Sequence, residues 1–127
     1  MPIFKPWDVV KVPFPHADRP VRQRRPALVV VADELQTHHS LLWVLMITSA
    51  DHRRWPGDVM IGDPGTAGLP AASVVRTAKI AVIDARDAAL LGTLVGTDRK
   101  AIGTQMFGHL SAILAAAREA SGSVHAQ

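Results

Sequence analysis

The 127-residue chain contains no cysteine, which excludes a disulfide framework, a thiolate zinc site and a cysteine nucleophile in one step. Long hydrophobic runs are missing as well. The longest, Ala27 to Ala32 and Leu41 to Ile47, fall well short of the roughly 20 apolar residues that cross a bilayer. The N-terminal stretch, with Asp8 so early, has no secretory apolar segment. The expected location is the cytoplasm, with no membrane partner. Neither a GxxxxGK-S/T loop nor a GxGxxG after a strand occurs, so the phosphate cradle of nucleotide cofactors is missing and no cofactor is expected. Metal is expected to be absent too. His38 and His39 are neighbours whose side chains diverge on an extended backbone, and no acidic cluster accompanies the other histidines. Both read as loop residues.

What is present is enough apolar sequence for one core: 48% hydrophobic and 20% charged residues over 127 positions. The net charge of +3, with a pI near 10.0, favours acidic or nucleic-acid partners. Its placement is more telling. Arg19, Arg22, Arg24 and Arg25 crowd into one short segment, and Arg53 and Arg54 form a second pair. The first cluster ends in RRPALVV, two cations at the mouth of an apolar strand. A buried strand cannot solvate that charge, so an anionic ligand is the natural counterpart.

Hydrophobic patterning predicts a strand over Trp7–Phe14, near a sheet edge because Pro13 has no N–H to donate. Residues 15–25 are polar, basic and proline-broken, a loop. Ala27–Ala32 and Leu41–Thr48 are apolar on both faces and read as central strands. A short strand DVMI follows the loop around Pro56-Gly57, then the turn-rich GDPGTAGLP, then Ser73–Asp84 as one or two strands. Asp87–Gly92 reads as a single helical turn. A final helix begins near Thr97 or Asp98 and carries Ile102, Met106, Leu110, Ile113, Leu114 and Ala117 on one stripe. Residues 1–119 form one domain, and 120–127 are expected to be a disordered tail. The fold class is α+β, mainly β: a small, strongly bent antiparallel sheet or partly open barrel closed by an amphipathic C-terminal helix.

A site that acts on a phosphodiester without metal must supply positive charge from guanidinium groups and donors aimed at the phosphoryl oxygens. Arginine suits this through its planar fork. Arg25 starts one central strand and Thr48 ends the next, so antiparallel pairing brings both to one rim, with Ser49 adding a second hydroxyl. Thr48 and Trp55 also have plainer uses: Thr48 as a strand-end hydroxyl capping a turn, Trp55 as a loop aromatic folded over the barrel end. Trp43, inside an apolar strand, reads as core.

The succession WDVVKVPFP, RRPALVVVAD, LLWVLMITSA, GLPAASVVRTAKI and LLGTL…IGTQMFGHLSAIL resembles the MazF/PemK (Kid) family of type II toxins over about residues 7–115. The resemblance implies a homodimer of small SH3-like barrels. It also implies a metal-independent endoribonuclease acting on single-stranded RNA and neutralised by a cognate antitoxin. Arg25 resembles the family's catalytic arginine and Thr48 its catalytic threonine. Arg76 resembles an arginine used in RNA binding or catalysis, with an outward strand cation as its plainer reading, and Ser73 fits a family-typical structural serine. The implied reaction is attack of a ribose 2′-hydroxyl on phosphorus, leaving a 2′,3′-cyclic phosphate and a 5′-hydroxyl. Two departures stand out: Trp7 precedes Asp8 where relatives carry glycine, and Ala78 stands where several carry an acidic residue. The proton acceptor is left open among Arg25 itself, His16, which loosely resembles a family loop histidine, and His52. Arg24, Ser49, Arg53, Arg54, Trp55 and Arg76 are the expected RNA contacts, Trp55 and the arginines by stacking and charge. With Ala78 in place of a carboxylate, the competing expectation is a non-catalytic SH3-like module that binds RNA or protein.

Overall fold

The computed structural model describes residues 3–14 and 23–125. The strands are β1 (Asp8–Pro13), β2 (Arg24–Val31), β3 (Leu41–Ser49), β4 (Asp58–Met60), β5 (Ser73–Asp84) and β6 (Ala89–Thr93). Helix α1 (Asp33–His39) joins β2 to β3, a 3-10 turn (Ala85–Asp87) precedes β6, and α2 (Thr97–His125) ends the chain. All pairings are antiparallel, in the order β4-β5-β3-β2-β1-β6. β2 and β3 are central, as their two-sided apolar sequences require.

Alternation along these strands feeds two cores, one on each face. Val10, Val12, Ala27, Val29, Leu42, Val44 and Met46 gather with Phe4 and Phe14 on one side. Val9, Leu28, Leu45, Ile47 and Val75 gather with Ile61, Leu94 and Ile102 on the other. The sheet bends where registers slip. Met46 pairs with Arg76 but Leu45 pairs with Ile80, so Thr77, Ala78 and Lys79 bulge out of β5. Extra residues on one strand turn the sheet sharply, which makes Ser73–Asp84 a single bent strand. β4 and β6 are not partners, so the sheet is bent and open.

Several expectations are corrected. Asp33–His39, which contains His38 and His39, is a helix rather than a loop; it buries no residue, so no apolar stripe announces it. It is held by Ser40 in a left-handed C-cap (φ 57°) and by Gln36, which donates to the Phe4 carbonyl at 2.7 Å and accepts from its N–H at 2.9 Å. The helical turn expected at Asp87–Gly92 is instead the 3-10 turn followed by β6, which pairs with β1. That pairing moves β1 from the edge to the interior. Pro13 lies beyond the last β1–β6 pair, Lys11 with Ala89, so its missing N–H costs no bond there. Trp43 is 39% exposed rather than core, and lies opposite Val82 in a strip with Ile80. On α2 only Ile102 of the expected stripe is buried and Met106 half-buried, while Leu110, Ile113 and Leu114 stay exposed. The break expected at Ser121 is absent, and the helix continues to His125.

Candidate active-site cavity

Ala27 pairs with Met46 and Leu28 with Leu45. The β2–β3 ladder ends at Ala27 and Met46, and Arg25 and Thr48 each lie two residues beyond this last pair, at the same end of the two strands. Both side chains line a single open cavity of about 470 Å³. Arg24, Lys11, Ser49 and His52 line it beside them, and the segment Gly68 to Ser73 with Leu91 forms the opposite, largely apolar wall. That wall is fixed by close approach: a Cβ on Gly68 would collide with the Leu91 carbonyl, and one on Gly92 with the Thr66 and Ala67 backbone.

Thr48 is 6% exposed. Its Oγ1 lies 2.6 Å from His52 Nδ1, so it does not cap the turn after β3. Ser49 does: its Oγ accepts from the Asp51 N–H at 3.1 Å, and its carbonyl accepts from the His52 N–H at 3.1 Å. Arg25 is half-buried and donates to Gln23 Oε1 at 3.2 Å. Among the described residues no carboxylate pairs with it. Arg24 is occupied differently, donating to the carbonyls of Asp87 and Lys11 at 3.1 Å each. His16, Arg19 and Arg22 lie outside the described residues.

Arg76 is only 7% exposed and points inward, not outward. It donates to both carboxylate oxygens of Asp58, at 3.2 and 3.1 Å, and to the Arg53 carbonyl at 2.8 Å. Trp55, 42% exposed, stacks on its guanidinium 4.1 Å away. Arg76 therefore clamps the loop that displays Arg53, Arg54 and Trp55, all exposed. Burial pushes the Asp58 carboxyl up, but hydrogen bonds from Arg76 and the Trp55 N–H, with the charges of Arg76 and Arg54, outweigh it and hold the group below the usual carboxylate range. Ala78 sits exposed on the β5 bulge and does not line the cavity. No cluster of histidine, aspartate and glutamate suited to a metal ion occurs among the described residues. Lys11, the Gly68–Ser73 wall and the Thr48–His52 contact were missed in the sequence. Turn residues announce a loop there, but nothing in their order says which side chain the loop returns to.

This bent antiparallel sheet with one C-terminal helix is the fold of MazF toxins. The chain superposes on MazF (form I) from Deinococcus radiodurans with a TM-score of 0.70 at 21% identity, covering 87% of this chain and 99% of that one. MazE-MazF (form II) from the same organism gives 0.66 at 20% identity over 87% and 97%. The Mycobacterium tuberculosis toxin MazF-mt6 gives 0.64 at 19% identity over 82% and 96%. No curated protein matches the sequence. Residues 5–113 match the family described as PemK-like, MazF-like toxin of type II toxin-antitoxin system. The chain belongs to that family.

Proposed function

We propose that this toxin is a metal-independent endoribonuclease that cuts single-stranded RNA through attack of the 2′-hydroxyl on the adjacent phosphorus. The observation that carries the reading is the convergence of Arg25 and Thr48 on one open cavity, with no carboxylate neutralising Arg25 among the described residues. Arg25 holds the phosphoryl oxygens and stabilises the charge that grows on them; Thr48 supplies a second donor. Arg24, Lys11 and the exposed loop of Arg53, Arg54 and Trp55 draw in the flanking strand, Trp55 through its outer face. Arg76 serves RNA indirectly, by holding that loop.

A cognate antitoxin is the protein partner, an acidic segment of which would lie across the basic cavity; similar structures include MazE-MazF complexes. The working form is a homodimer in the cytoplasm. Exposed apolar side chains on the sheet (Trp43, Ile80, Val82) and on α2 (Phe107, Leu110, Ile113, Leu114) support a second copy, because a lone soluble chain rarely leaves so much apolar surface open. The competing module without turnover rests on Ala78, and that residue lies outside the cavity. Purified protein incubated with a long single-stranded RNA in excess chelator is expected to yield discrete fragments ending in 2′,3′-cyclic phosphate and 5′-hydroxyl. Intact RNA that is nonetheless bound would establish the module instead.

A further inference from the structure

The Thr48 hydroxyl has one hydrogen-bonding neighbour among the described residues, His52 Nδ1 at 2.6 Å. The backbone that carries that imidazole is held on both sides. On one side are the Ser49 turn bonds at 3.1 Å; on the other, the Arg53 carbonyl accepts from buried Arg76 at 2.8 Å. His52 lines the cavity together with Arg25.

A hydroxyl has a single proton to give. If Thr48 spends it on Nδ1, none is left for a phosphoryl oxygen. If Thr48 donates to the phosphate, Nδ1 must carry hydrogen and donate to Oγ1, and in the neutral ring Nε2 is then the free acceptor. A basic His52 Nε2 thus places the ring hydrogen on Nδ1, which leaves the Thr48 proton free for the phosphate. An arginine, protonated at any working pH, offers no comparable acceptor.

We infer that His52 is the general base of the reaction, a role that rests on the endoribonuclease reading above. Nε2 takes the 2′-hydroxyl proton as the 2′-oxygen–phosphorus bond forms. The bond from phosphorus to the 5′-oxygen breaks, and that oxygen leaves with the electron pair and takes a proton from water. The imidazolium then returns its proton to solvent, so no net proton is gained or lost. While the ring is charged, Nδ1–H still donates to Thr48, which keeps its own proton on the phosphate. Among the described residues, the charged groups that line the cavity with His52 are Arg25 and Arg24 from β2 and Lys11 from β1, while Asp51 and Arg53 flank it in its own loop; the Gly68–Ser73 wall carries no titratable side chain.

The test compares single-turnover cleavage of one single-stranded RNA by wild type, His52→Ala and His52→Gln from acidic to mildly basic pH. Binding is read in parallel with the 2′-O-methyl form of the RNA, which cannot be cut. His52 is exposed, so both variants should fold, and thermal unfolding verifies it. Glutamine keeps a hydrogen-bonding partner for Thr48 but has no basic nitrogen. Both variants are expected to lose at least about 100-fold in rate with binding retained. They should also lose the fall in rate at acidic pH that protonation of an imidazole imposes, and free imidazole should restore part of the His52→Ala rate. A His52→Gln enzyme close to the wild-type rate, or one keeping the wild-type acidic limb, overturns the assignment and leaves the nuclease standing. A wild-type protein that cuts no RNA overturns both.

Discussion

Arg25→Ala is expected to slow RNA cleavage by about 10³-fold or more with little change in stability. The two halves of that expectation have separate causes. Stability is spared because the side chain is half-buried and its hydrogen bond within the described structure is to Gln23, at 3.2 Å. A bond of that kind between surface groups contributes on the order of 1 kcal/mol at most. Cleavage should suffer because no carboxylate among the described residues neutralises Arg25, and in the proposed reaction charge accumulates on the phosphoryl oxygens it would hold. Arg25→Lys keeps the charge but loses the two-pronged contact, and should recover only part of the loss. Arg24→Ala is the control. Its guanidinium already straps the Asp87 and Lys11 carbonyls, so its loss should weaken RNA binding modestly and spare the chemical step. Single-turnover rates at saturating protein separate these effects.

Asp58→Ala is expected to be the most damaging single substitution for the fold, costing about 3–5 kcal/mol. The Arg76 and Asp58 side chains are 8% and 2% exposed, and removing the carboxylate leaves a buried guanidinium whose remaining partners among the described residues are Trp55 and the Arg53 carbonyl. Thermal unfolding should fall by roughly 10 °C or more. The same pair sets part of the acid response. The folded carboxyl titrates below its ordinary value of 3.8, so its stabilisation is in place above that pH and is lost as pH falls through the lower folded value. Asp58→Asn should therefore be less stable than wild type at neutral pH and show a shallower further loss below about pH 4. Equal stability of the two proteins at pH 7 would show that Asp58 does not anchor the loop.

The central strands were legible because β2 and β3 are apolar on both faces, and only an interior place in a sheet satisfies that. Whether the two pair antiparallel was a condition that pattern alone left open; they do, and Arg25 and Thr48 line one cavity. Other elements left weaker traces. α1 has no buried face, so no periodicity betrays it. β6 is built from alanine and leucine, helix formers by local preference, and becomes a strand because β1 offers it an edge. For Arg76 the sequence left an outward strand cation and a functional role as alternatives, and neither announces its clamp: the inserted residues of β5 follow it, and Asp58 sits across the ladder from it. The meeting of His52 with Thr48 depends on one turn closed by Ser49, a geometry that composition does not specify.

Crystals of the protein with a 2′-O-methyl single-stranded RNA test the central claim most directly. One phosphate should lie in the cavity with its oxygens within hydrogen-bonding distance of both the Arg25 guanidinium and Thr48 Oγ1. An RNA chain bound along Arg53, Arg54 and Trp55 that leaves the cavity empty, or that gives Arg25 and Thr48 to different phosphates, would contradict it.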